Sequence, residues 1–322
     1  MRALRRLLTV VVVAAFVLFA VFAYGWYGRG PLANDATLIV PKGATLATVA
    51  GELQQLGAIR SAGAFLVRAK VFGGPAPVKA GEFRLPAHVS ARRILALLQG
   101  NEIIRRTIVI PEGMPSIEVY DRLMAVPYLT GTIPVPAEGS VLPATYDFQR
   151  GEPRAEVLAR MQAAMTRALA AEWAARAPDT VAKTPQQAVT LASIVEKETG
   201  KPSERAMVAG LYSNRLRKGM LLQADPTIIY PITKGKPLGR RILQSEIAAV
   251  NGYNTYTMVG LPQGPITNPG HASLHAVLHP AKTAALYMVA DGTGGHVFAD
   301  TLEQHNANVA RWFAIRRARG EL

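Results

Sequence analysis

Two carboxylates, Glu196 and Glu198, close the apolar run LASIVEKETG at residues 191–200. A carboxyl group at the end of a buried helix is a candidate general acid and base. Burial and the negative end of the helix dipole both disfavour its ionised form, which suits proton donation near neutral pH. Residues two apart on a helix point to nearly opposite faces, so the pair cannot share one cleft from a regular helix. Glu198 falls over Leu191, Ile194 and Val195, the apolar side, whereas Glu196 falls over Val189, Ala192 and Ser193. Those smaller side chains leave room for a ligand, and the expectation is that Glu196 faces the cleft. The plainer alternative is a structural glutamate paired with lysine or arginine.

The elements that must position this acid read as follows. Residues 38–40 are strand-like, residues 44–55 and 61–72 have helical spacing, residues 80–86 read as a strand and residues 90–98 as a helix. Ser61 and Ser90 are natural N-caps, and Gly57 and Gly100 are stops. Residues 105–110 form a strand, and residues 116–124, 154–176, 185–199, 203–218 and 302–319 are expected helices. Beyond Gly219 helices become rare. Instead GMLLQADPT, YNTY, LPQGPITNPG and GHVF place short polar side chains beside turn residues. Such groups hydrogen-bond sugar hydroxyls and acetamides, and proline- and glycine-rich loops hold them at low entropic cost.

The N-terminus bears on compartment. Arg2, Arg5 and Arg6 precede an apolar run, residues 7–23, broken only by Thr9, and Tyr24, Trp26 and Tyr27 follow. This is the short end of a spanning helix. The basic flank places the N-terminus in the cytoplasm and the body of the chain outside. A cleaved signal peptide is the alternative, but no convincing small-residue cleavage site follows the run. There is no cysteine, which excludes disulfides, thiolate metal sites and cysteine nucleophiles. The formal net charge of +14 has no basic patch interleaved with aromatics, so nucleic acid is not the expected partner. An anionic bilayer surface or an acidic extracellular glycan fits the anchor better.

LASIVEKE, NRLRKGMLLQADPT, YNTY and GLPQGPITNPG, in this order, resemble the signature of the endolytic murein lytic transglycosylases of the MltG (YceG-like) type. The resemblance runs from about residue 36 to the C-terminus. Departures are Ala144 in LPATY, Ala224 in QADPT, Gln263 in GLPQGP and Gln304 before His305-Asn306. The resemblance implies cleavage of the β-1,4 bond between N-acetylmuramic acid and N-acetylglucosamine, with Glu196 as the catalytic residue. A single carboxyl suffices for that chemistry. It protonates the leaving oxygen, then accepts the proton of the sugar's own 6-hydroxyl as that oxygen attacks the anomeric carbon. The product carries a 1,6-anhydro ring and no water is consumed.

On this basis Gln223, Asp225, Asn254, Thr255 and Tyr256 are the expected sugar-binding residues. Asp225 also begins an Asp-Pro-Thr sequence that suits an ordinary turn or N-cap. Asn214 and Arg215 are expected to brace the helix pair, with Arg215 a partner for Glu198 or Asp225. His296 and His305 lack metal-ligand spacing and read as hydrogen-bonding residues, so neither a metal nor a cofactor is expected. The expected architecture is α+β, in five segments. These are a cytoplasmic tail (1–6), a transmembrane anchor (7–25), a linker (26–35), a small LysM-like α/β module (36–102) and a larger mixed α+β catalytic domain (103–322). The implied partners are peptidoglycan strands, the cytoplasmic membrane and penicillin-binding proteins, acting on a monomer. Two other functions compete: a non-catalytic wall-binding scaffold, and a hydrolase of the same bond with Asp225 or Glu198 as a second carboxylate.

Overall fold

A computed structural model describes residues 2–321. The fold is mixed α+β, in two compact units. One runs to Arg106 and includes Asp147–Gly151. The other comprises Thr107–Tyr146 and Glu152 onward.

In the first unit, helix α1 spans Arg2–Tyr27 and is long and apolar enough to cross a membrane. It continues through the aromatic residues rather than ending before them. Trp26 is 1% exposed and lies 5.8 Å from the Phe65 ring, and Arg68 donates to the Phe22 carbonyl at 3.0 Å. Strand β1 (Ala36–Val40), helices α2 (Leu46–Gln55) and α3 (Ala62–Phe72), strand β2 (Gly81–Leu85) and helix α4 (Ala91–Gln99) follow. β1 and β2 pair antiparallel, Ala36 opposite Leu85 and Val40 opposite Gly81. Thr45, Ser61 and Ser90 cap the three helices by accepting from the N–H three residues on, which satisfies an otherwise orphaned donor. Leu38, Val40, Leu53, Phe65, Phe83 and Leu98 fill the core between the pair and the helices.

Strand β3 (Arg106–Val109), helix α5 (Ser116–Met124) and strand β4 (Thr145–Phe148) precede the helical part of the second unit. The central element is α7 (Pro185–Glu198), opened by Thr184, whose side chain accepts from the Gln187 N–H. Every residue from Ala188 to Val195 is buried, so this helix has no solvent face. Around it pack α6 (Arg154–Ala175), α8 (Arg205–Arg217), α9 (Asp225–Thr233) and, after the single turn α10 (Gln244–Ile247), α11 (His271–Leu278). A hairpin, β5 (Tyr287–Ala290) with β6 (His296–Ala299), and the terminal helix α12 (Leu302–Ala318) complete the unit. The expectation that helices become rare beyond Gly219 is corrected by α9, α10 and α11. α9 begins on Asp225 with Pro226 in its first turn, a position where a missing N–H costs nothing, and it tolerates Pro231 near its end.

Candidate active site

α7 ends on Glu198, where the chain turns to the extended conformation at Thr199. At that end a cavity of about 630 Å³ opens, lined by Glu198, Tyr212, Arg215, Gln223, Asp225 and Tyr256, with Met288–Ala290 of β5, His296 and His305 on the opposite wall. Glu196 is not among the lining residues. Its side chain is 5% exposed; Oε1 lies 3.4 Å from the Arg205 guanidinium and Oε2 accepts the Gly270 N–H at 2.8 Å. Arg205 also pairs with Glu112 at 3.0 Å.

Glu198 thus lies on the lining of this cavity, whereas Glu196 lies against Arg205 and the Gly270 N–H, away from it. The small face of α7 does leave room, but the chain's own loop takes it. Ser193 Oγ accepts the Ile266 N–H at 3.0 Å, and the segment leading to Gly270 runs on to Glu196. Glu198, the last helical residue, reaches the cavity lining while staying buried.

Glu198 is deeply buried, and its Oε1 has no hydrogen-bond partner. Burial, and next the negative charge of Asp225, push its carboxyl up to about 7; Tyr212 and Arg215 act in the opposite direction. Asp225 accepts the Tyr256 hydroxyl at 2.5 Å. Burial and the hydrogen bond to Asp225 keep the Tyr256 phenol protonated, far above its usual range. The fully buried Tyr212, whose pKa is likewise raised by burial and then by Glu198, hydrogen-bonds Glu198 from α8. The cavity thus holds one carboxyl able to carry a proton near neutral pH and one anchored carboxylate beside it.

Of the expected sugar contacts, Gln223, Asp225 and Tyr256 reach the cavity and Asn254 and Thr255 do not. Asn254 is fully buried and its Nδ2 donates to the carbonyls of Ile247 and Ala249 at 2.9 and 2.7 Å. Its Oδ1 accepts the Tyr256 N–H at 3.0 Å. Thr255 Oγ1 accepts the Ala224 N–H at 3.0 Å and bonds Thr227 Oγ1 at 2.9 Å. Asn254 is thus committed to backbone and Thr255 to backbone and Thr227, next to Tyr256 and Gln223. Gln223 sits at φ 54°, a left-handed conformation rare for a side-chain-bearing residue, and its N–H is tied to the Thr255 carbonyl.

Asn214 donates to the Thr283 and Ala285 carbonyls at 2.8 and 3.1 Å, which ties α8 to the segment before β5 rather than to α7. Arg215 forms no ion pair with Glu198 or Asp225, which corrects that expectation. Its guanidinium instead serves the Leu286, Leu221 and Leu222 carbonyls at 2.7, 3.2 and 2.8 Å. A buried arginine with five donors thus ties together two backbone segments through three carbonyls, which a lysine's single ammonium could not span. His296 Nδ1 meets Glu204 at 2.8 Å, and the His305 ring stacks on Tyr287 at 5.2 Å. Tyr212 escaped the sequence reading. Its only signal was its place on the helix that follows Glu198, two residues before Asn214.

Similarity to known proteins was found over most of the chain. The model of the YceG-like family matches residues 38–311. An endolytic murein transglycosylase of Bacillus subtilis (strain 168) is 35% identical over 171 residues, which is 53% of this chain and 46% of that protein. One from Streptococcus pneumoniae (strain D39) is 28% identical over 323 residues, 85% of this chain and 58% of that protein. The chain thus spans about half the length of the curated relatives it matches. The crystal structure of a yceG-like protein from Listeria monocytogenes superposes with a TM-score of 0.52 at 27% identity, covering 85% of this chain and 99% of that one.

Proposed function

The chain belongs to the YceG-like family, and from that premise we propose that it is a membrane-anchored, endolytic lytic transglycosylase of peptidoglycan with Glu198 as its acid and base. The observation that carries this reading is the placement of Glu198: a buried carboxyl on the lining of a polar cavity, with one oxygen unbonded, protonated up to about pH 7. The names of the relatives supply the substrate and reaction class.

In the mechanism, Glu198 protonates the glycosidic oxygen between N-acetylmuramic acid and N-acetylglucosamine, and the bond from that oxygen to the muramyl anomeric carbon breaks. The Glu198 carboxylate then takes the proton of the muramyl 6-hydroxyl while that oxygen closes on the anomeric carbon. Glu198 ends protonated as it began, and one strand ends in a 1,6-anhydro ring. Asp225 accepts the Tyr256 hydroxyl beside Glu198. Its charge, fixed by Tyr256, keeps Glu198 in the acid form between turnovers and favours the positive charge that develops at the anomeric centre. Gln223 and Tyr256 are the groups with polar atoms left at the cavity for sugar hydroxyls and acetamides.

α1 would anchor the enzyme with its arginine end in the cytoplasm. The β1-α2-α3-β2 order of the first unit supports a LysM-like reading, a module that would hold glycan strands close to the membrane. Cleavage there would limit the length of nascent strands, beside the penicillin-binding proteins that extend them.

A second reading has an observation in its favour: two carboxyls, Glu198 and Asp225, line one cavity, as a hydrolase requires. Digestion of purified murein by the full chain in detergent, followed by mass spectrometry, separates the two. Anhydro-ended fragments, abolished by Glu198→Gln, support the transglycosylase. Reducing ends point to the hydrolase. Murein binding without cleavage points to a scaffold. Loss of cleavage in Glu196→Gln, with Glu198→Gln active, reverses the assignment of the acid.

A further inference from the structure

Away from the cavity, two histidines of α11 and the residue that caps its end, His279, converge on one carboxylate of α6. His271, His275 and His279 recur every fourth residue and so share one side of the helix. Glu172 Oε1 lies 3.1 Å from His271 Nε2, and Oε2 lies 2.9 Å from His275 Nδ1 and 4.0 Å from His279 Nε2. The His275 and His279 rings stack at 4.5 Å. One donor atom each from Glu172, His275 and His279 falls within 4.8 Å of the others.

We propose that Glu172, His275 and His279 form a zinc site that clamps α6 to α11. The Glu172 side chain is 11% exposed, and among the described residues no lysine or arginine reaches it. A buried carboxylate needs a compensating cation, and imidazoles supply one only when protonated. A divalent ion answers both sides at once, taking the carboxylate and two neutral imidazoles together. Two imidazole nitrogens and one oxygen suit Zn²⁺, with water in the fourth position; Mg²⁺ and Ca²⁺ prefer all-oxygen shells. Bonds of roughly 2.0 Å require the three atoms to close to about 3.3 Å apart. The two rings are 58% and 31% exposed and can turn to do so. His271, on the other carboxylate oxygen, is placed to orient Glu172 as an outer-shell partner.

The test is calorimetric titration of ZnCl₂ into the tag-free, chelator-stripped full chain in detergent, with thermal melts alongside. One saturable site and a higher melting temperature with Zn²⁺, but not with MgCl₂, are expected. His275→Ala/His279→Ala and Glu172→Gln should each weaken binding by roughly tenfold or more, with helix content by circular dichroism unchanged. If the double variant misfolds, the single change at the exposed His275 gives the same reading. X-ray absorption of the loaded protein should show a nitrogen and oxygen shell at about 2.0 Å. Absence of saturable binding, or equal affinity in the ligand variants, overturns the site.

Discussion

Glu196 and Glu198, separated by one lysine, occupy different chemical environments. One is clasped by Arg205 and the Gly270 N–H, the other faces a cavity with an oxygen unbonded. The first arrangement fixes a charge in place as a structural tie. The second keeps a proton available for transfer.

Glu198→Gln should lower murein cleavage by about 10²–10⁴-fold, the range for losing a general acid. Glu196→Gln should retain measurable cleavage yet lose about 1–3 kcal/mol of stability, because the buried Arg205 guanidinium loses a charged partner. Fragment yields by mass spectrometry and urea melts of both proteins make the comparison.

The rate should depend on a protonated Glu198 and fall as pH rises through about 7. Asp225 raises that value, so Asp225→Asn should move the alkaline limb to lower pH. The position of the limb in kcat/KM against pH is the readout. A limb unmoved by the change would remove Asp225 from the argument.

The same proton affects folding. The Glu198 carboxyl goes from 4.5 unfolded to about 7 folded, so the native state binds the proton more tightly. Its contribution is fully present below pH 4.5, declines as pH rises, and is lost above about 7. Relative to wild type, Glu198→Gln should therefore gain stability above pH 7, by up to about 3 kcal/mol, and little at pH 4. Thermal melts of the two proteins across that range measure it.

Asn254→Ala should destabilise the fold by about 2–4 kcal/mol, since it leaves several buried backbone groups without partners. A residue that only touched sugar would raise KM and leave the melt unchanged.

What was legible in the sequence had local causes. α5 matches residues 116–124 because its apolar spacing and flanking prolines are written in adjacent positions. α9 and α11 were not legible. α9 carries two prolines and α11 has eight residues, so packing against α7 supports both more than propensity does. The surroundings of the two glutamates were not legible for a related reason. A helix buried all round offers no polar face to read, and which neighbour fills a gap beside Ser193 depends on Ile266, 73 residues away. Asn254 and Thr255 look like ligand contacts by type alone; the first is spent on the carbonyls of the preceding loop and the second on the distant Ala224 N–H.

The burial of Trp26 affects how far the first unit can travel. A helix of 26 residues is roughly 39 Å long, and a bilayer core takes about 30 Å of it. Because α1 runs without a break into packing against Phe65 and Phe72, no slack chain separates the apolar helix from the rest of the first unit. An anchor built this way behaves as a post rather than a leash. In the proposed anchoring, the first unit would stay at the headgroups and tilt as its helix tilts.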